Sequence, residues 1–367
     1  MRTSFGVTFA AVSSTILAPV VFASSIGFVQ TTLASDQPGV APVTDPNLVN
    51  AWGIAASGSS PFWIGANGSG TSVLYNGAGV KQGLTVTIPG DGTVTGIAFS
   101  NVPGNFNADT FLFASEDGTF SGWRGALGTA AETLAPGSGA NVYKGLTDAS
   151  VGGNQYAYLA NFKTGNIDVM KGNAAASNLT GSFTDPNLPS GYAPFDIANL
   201  GGILYVTYAL QDGAKHDDVA GAGNGFVDTY DLQGNFLARL VSNGALNSPW
   251  GLAIAPAGFG DVGGDLLVGN FGDGSIHAYN TTTGALVETL TDAKGNPLSI
   301  DGLWGLKFGN GGAAGPTSTL FFTAGPDDEQ HGMFGELNAV PEPATWMLLG
   351  FGLMAVALLR AYRTQSA

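Results

Sequence analysis

The chain of 367 residues has no cysteine, only three histidines, and charged side chains at just 11% of positions. Each scarcity excludes something. Without thiols there are no disulfide staples, no thiolate metal sites and no cysteine nucleophile; a chain bound for an oxidising compartment also avoids mispairing this way. With 12 Lys plus Arg against 27 Asp plus Glu, the net charge is −15, a balance that repels nucleic acid and anionic lipid. What is abundant is apolar surface, 44% of residues, together with 57 glycines and 18 prolines. That mixture supports a large core of short strands joined by tight turns.

The two ends read as addresses. Met1–Ala23 opens with Arg2, continues apolar from Phe5 to Val21, and closes on Val21-Phe22-Ala23. Small residues at the −3 and −1 positions suit signal peptidase, so residues 1–23 are expected to be a signal peptide cleaved after Ala23. At the other end, Ala344–Leu359 is apolar throughout. Sixteen helical residues span about 24 Å, short of a hydrocarbon core of about 30 Å. Arg360 and Arg363 follow and would hold that end on the cytoplasmic side. Ahead of the apolar run stands Pro341-Glu342-Pro343. This order of Pro-Glu-Pro, apolar helix and basic end resembles the PEP-CTERM sorting signal of Gram-negative bacteria. The resemblance implies recognition and cleavage by an exosortase-type membrane enzyme, so residues 340–367 are expected to be a sorting tail. The protein would be anchored transiently in the inner membrane, touch the membrane only through that tail, and finish outside the cell or on its surface.

Between the ends, residues 24–339 carry a repeat. Trp52-Gly53-Ile54-Ala55 is echoed by Thr95-Gly96-Ile97-Ala98, Phe195-Asp196-Ile197-Ala198, Trp250-Gly251-Leu252-Ala253 and Trp304-Gly305-Leu306-Lys307, with Ser150-Val151-Gly152 as a weaker echo in the gap. A period of about 50 residues falls in the range of propeller blades. The unit from Trp250 shows four strand patterns: Gly251–Ala255, Asp265–Asn270, Ser275–Asn280 and Ala285–Leu290, with Asp273-Gly274 supplying a hairpin turn. The expected fold is therefore all-β, a six-bladed β-propeller of four-stranded antiparallel blades followed by a C-terminal apolar helix. The last unit is one strand short and the early run Gly27–Leu33 is spare, so the N-terminal strand is expected to close the ring. The stretches "TDPNLVNAWGIA", "GAGNGFVDTYDLQGNFLARL" and "EQHGMFGEL" resemble an uncharacterised family of exported bacterial proteins, a resemblance that implies fold and export and brings no activity.

In a propeller the loops entering each first strand and those joining second and third strands share one face. That face would receive Asn67, Asn161 and Asn270, Asp301, and two polar loops holding His216, Asp217 and Asp218, and Asp327, Asp328, Glu329 and His331. Carboxylate and amide oxygens converging there are candidate calcium ligands, which number six to eight in such sites; equally, Asp and Asn cap turns. His216 and His331 beside carboxylates are candidate bases or ligands. The recurring aromatics are expected to pack between blades. Gly258-Phe259-Gly260-Asp261-Val262-Gly263 fits a dinucleotide fingerprint but leads into a strand rather than a helix, and no P-loop, zincin or nucleophile-elbow motif is present. The leading expectation is a non-enzymatic binding or structural component of an extracellular polymer layer, with extracellular polysaccharide as partner. The alternative is a calcium- or zinc-dependent lactonase-like hydrolase working at the acidic face.

Overall fold

The structure, a computed structural model, describes residues 27–100, 102–340 and 351–355. The expected signal peptide, Pro341, Glu342, Pro343, Arg360 and Arg363 lie outside them. Residues 351–355 are helical, and among the described residues no helix is long and apolar enough to cross a membrane.

Ile26–Glu342 form one compact unit of six sheets arranged as a propeller. Blade 1 holds β3 (Ala51–Ala55), β4 (Phe62–Ala66), β5 (Thr71–Tyr75) and β6 (Lys81–Thr87). Blade 2 holds β7 (Val94–Phe99), β8 (Phe111–Ser115), β9 (Phe120–Trp123) and β10 (Glu132–Ala135). Blade 3 has three strands, β11 (Tyr143–Val151), β12 (Asn154–Asn161) and β13 (Asn166–Lys171). Blade 4 comprises β14 (Tyr192–Leu200), β15 (Ile203–Leu210), β16 (Phe226–Asp231) and β17 (Phe236–Ser242). Blade 5 comprises β18 (Pro249–Ile254), β19 (Leu266–Asn270), β20 (Ile276–Tyr279) and β21 (Leu286–Thr289). Blade 6 is built from β22 (Leu303–Phe308), β23 (Leu320–Ala324) and β24 (Met333–Val340), and is completed from the other end of the chain by β1 (Gly27–Ser35) and the short β2 (Val43–Thr44). β1 pairs antiparallel with β24 from Gly27 opposite Val340 to Ser35 opposite Met333. The ring thus closes as the spare run predicted, with the strand two residues longer than read.

Second strands are largely apolar because both faces are covered. Phe111 and Phe113 of β8 pack toward blade 1, while Leu112 and Ala114 pack toward blade 3, the two-residue alternation of a strand buried on both sides. Six such clusters fill the six interfaces between blades.

The third unit corrects one reading. Ser150 and Val151 end β11 and Gly152 turns into β12; the true counterpart of Trp52-Gly53-Ile54 in this blade is Lys144-Gly145-Leu146. All six first strands break register at this same place. An irregularity of this kind re-aims the side chain at that point. Five of the six carry glycine at the next position, and close approach explains it: a Cβ on Gly53 would lie 2.3 Å from the Thr95 carbonyl oxygen, and one on Gly96 2.4 Å from the Leu146 amide nitrogen.

Candidate functional site

The re-aimed residues meet at the centre of the ring. Trp52 stacks on Trp304 with centroids 3.7 Å apart, Phe271 covers the other face of Trp304 at 3.9 Å, and Trp250 meets Trp304 edge-on at 5.8 Å. Phe195 and Phe162 extend the cluster. These aromatics pack on one another across the axis rather than between blades: the irregularity turns Trp52, Phe195, Trp250 and Trp304 inward, and Phe162 and Phe271, which directly follow second strands, join them. They form an aromatic plug at the centre of the ring.

Lys144 stands where four of the other first strands carry an aromatic residue and one carries Thr95. Only 3% exposed, it rests its Nζ over the Trp52 ring, 5.1 Å from the centroid. The ammonium donates to Glu116 Oε1 and, at 3.3 Å, to Asp217 Oδ1. From Glu116 a chain of hydrogen bonds runs around the mouth. Asn67 Nδ2 donates to Glu116 Oε2 (2.9 Å), while Asn50 Nδ2 donates to Asn67 Oδ1 (3.4 Å) and to Glu329 Oε2 (2.6 Å). The plug is tied to this layer: Trp304 Nε1 donates to Asn50 Oδ1 (3.1 Å) and Trp250 Nε1 to the Lys144 carbonyl (3.0 Å).

Burial pulls the Lys144 ammonium down, but Glu116, then Asp217 and Glu329, more than restore it, so its pKa stands above the ordinary lysine value. Burial raises Glu329 against the lowering effect of Lys144 and Asn50, and it raises Asp218. Burial would raise Asp217 too, yet Lys144 and then His216 hold it below the usual carboxylate range. Backbone geometry aims several of these groups. Asn50 and Ser248, each two residues before a plug tryptophan, have positive φ, and Asp327, Asp328 and Glu329 form a run of three such residues. Left-handed backbone is costly for non-glycine residues and persists where surrounding structure holds it.

Of the residues singled out in the sequence, Asn67, His216, Asp217 and Glu329 come together here, with Asp218 beside Ser248. The others do not. Asn161 accepts from the Val142 amide and donates to Asn141 and Asp168; Asn270 likewise braces Asn247, Ala245 and Ser275. Asp301 accepts from the Asp327 amide, Asp328 is exposed, and His331 pairs with Asp36 at 2.9 Å. Glu116 and Lys144 were missed. Glu116 had a signal, since it directly follows a second strand just as Asn67 does.

Glu116, His216 and Asp217 can bring one ligand atom each within 4.8 Å of one another, the raw material of a cation site. The Lys144 ammonium already bridges both carboxylates, so the donor set fits a divalent ion only if that lysine moves away.

Residues 339–361 match the family described as the PEP-CTERM protein-sorting motif. Over 330 residues the chain is 33% identical to uncharacterized protein R648 of Acanthamoeba polyphaga mimivirus, covering 83% of this chain and 78% of that protein. It is 32% identical over 329 residues to uncharacterized protein L690 of the same virus, covering 83% and 84%. These relatives are viral, whereas the resemblance read in the sequence was to bacterial proteins. Among solved structures, virginiamycin B lyase from Staphylococcus aureus matches with a TM-score of 0.49 at 12% identity, covering 85% of this chain and 100% of that one. A chain of a nidogen/laminin complex matches at 0.44 and 15%, covering 70% and 84%.

Proposed function

Because the chain belongs to the family of the mimivirus proteins R648 and L690 and carries a PEP-CTERM sorting motif, we propose that it is an exported, exosortase-sorted propeller acting as a non-enzymatic binding or structural component of an extracellular polymer layer. In this reading signal peptidase removes residues 1–23, the propeller spans 24–339, and the tail from 340 is cut by the sorting enzyme. The observation that carries the non-enzymatic part is Lys144. Its ammonium occupies the middle of the carboxylate cluster, supplying from within the chain the positive charge that a catalytic metal would bring. Asn and carboxylate groups rimming the mouth (Asn67, Asp217, Asp218) suit a neutral, hydroxyl-rich polymer. The test is co-sedimentation of the purified protein with the host's extracellular polysaccharide. Retention that weakens on Asp217→Ala is expected, and no retention overturns the polymer role.

A second reading rests on the Glu116–His216–Asp217 trio: a calcium- or zinc-dependent hydrolase in which Lys144 swings aside and His216 moves protons. Hydrolysis of a lactone or phosphoester panel that needs added metal and disappears in Asp217→Asn would establish it over the first.

A further inference from the structure

Beneath the plug the channel has its own chemistry. A cavity of about 120 Å³ is lined by all six first strands, and it adjoins two neighbouring cavities that share Asn199 and Lys307 with it. Its wall combines the aliphatic side chains of Ile54, Ile97, Leu146 and Leu252 with polar groups, Thr147 and Asn199 among them. Two residues break the pattern. Asp196 stands where the other five first strands carry glycine, and Lys307 where they carry Ala55, Ala98, Thr147, Ala198 and Ala253.

Asp196 is only 7% exposed, and among the described residues no side chain hydrogen-bonds its carboxylate; the Ile197 amide is its one polar support. Lys307 forms no ion pair among the described residues. Burial drives the Asp196 carboxyl well above its ordinary range and the Lys307 ammonium below its own. A buried carboxylate without a counter-charge costs several kcal/mol, roughly. Packing does not require it, since glycine serves that position in every other blade. Counted from Gly305, the counterpart of Asp196 in blade 6, Lys307 lies two residues further on, about 7 Å along the strand. Both groups line the same cavity, so a molecule carrying an amine at one end and an acid at the other could pair with each.

We propose that the channel below the plug binds a small zwitterion of free amino-acid size, its ammonium on Asp196, its carboxylate toward Lys307 and any aliphatic side chain against the leucine and isoleucine wall. The site is separate from the acidic mouth and does not depend on the role proposed for that mouth.

Isothermal titration calorimetry on the full chain in mild detergent tests this with glycine, L-alanine and L-valine, and with methylammonium and acetate as single-charge fragments. Binding of at least one amino acid with a Kd of about 1 mM or tighter is expected, with both fragments at least about tenfold weaker. Asp196→Asn and Lys307→Met should each weaken it about tenfold or more. Lys307 is less buried as a residue than Asp196, so its variant keeps the test informative should Asp196→Asn not fold. No binding heat from any amino acid up to about 50 mM, equal affinity for methylammonium, or affinity unchanged in Lys307→Met would overturn the proposal.

Discussion

At the scale of single residues, Lys144 governs the polar face. Among the described residues it is the only lysine or arginine touching the Glu116 and Asp217 carboxylates, and it also covers the Trp52 ring. Removing one partner of a buried ion pair costs about 3–5 kcal/mol, because the charge left behind has lost both water and its partner. Lys144→Met should therefore lower stability by about that much in urea denaturation, and adding Glu116→Gln should recover a large part of it. A loss under about 1 kcal/mol would mean that the carboxylates find other counter-charge. Lys144 also shows where sequence reading stops. The echoes are most recognisable by an aromatic residue before glycine, and a lysine in that slot removes the third unit's signature. Asp196 hid in the opposite way: Phe195-Asp196-Ile197 kept the aromatic and masked the loss of glycine. Both are chemical exceptions inside a packing repeat, and a repeat search smooths over exceptions.

At the scale of elements, most of the architecture was legible, because buried second strands are continuous apolar runs and the hairpin turns carry Asp-Gly or Thr-Gly. The four strands of blade 5 fall within about two residues of the reading. Blade 3 was harder, since β13 is followed by a long coil with no fourth strand among the described residues. Closure by β1 was inferred from two loose ends, and the register along β24 bears it out. β1 also buries Phe28 and Ala34 against the clusters on its two sides. Deleting Gly27–Ser35 should expose β24 as a sheet edge and uncover those clusters. The expected outcome is a melting temperature lower by about 10 °C or more, with aggregation visible in size-exclusion chromatography. An unchanged melt would show that β1 is an ornament on a ring closed without it.

At the scale of the whole molecule, the buried acids set a direction with pH. Burial raises Asp148 to about 6, with Gln155 and Ser100 opposing; it raises Asp228 to about 7 and Asp109 to about 6 despite Arg124. In this window the folded state holds protons that the unfolded chain has already released above about pH 4, so stability falls as pH rises from about 4 to 7. The partly exposed acids whose pKa values are lowered by hydrogen bonds, Asp212 and Asp292 among them, act in the opposite sense only below about pH 4. The melting temperature should therefore be several degrees higher near pH 5 than near pH 7.5, as followed by circular dichroism. A melt that rises steadily toward pH 7.5 would contradict this assignment.

The most direct test of the whole account is the melting temperature of the purified protein with EDTA and then with excess calcium. With Lys144 serving as the cation of the acidic mouth, neither addition should move the melt by more than about 1 °C. A drop with EDTA that calcium reverses would contradict the account, because it would place a metal in the fold where the lysine is said to stand.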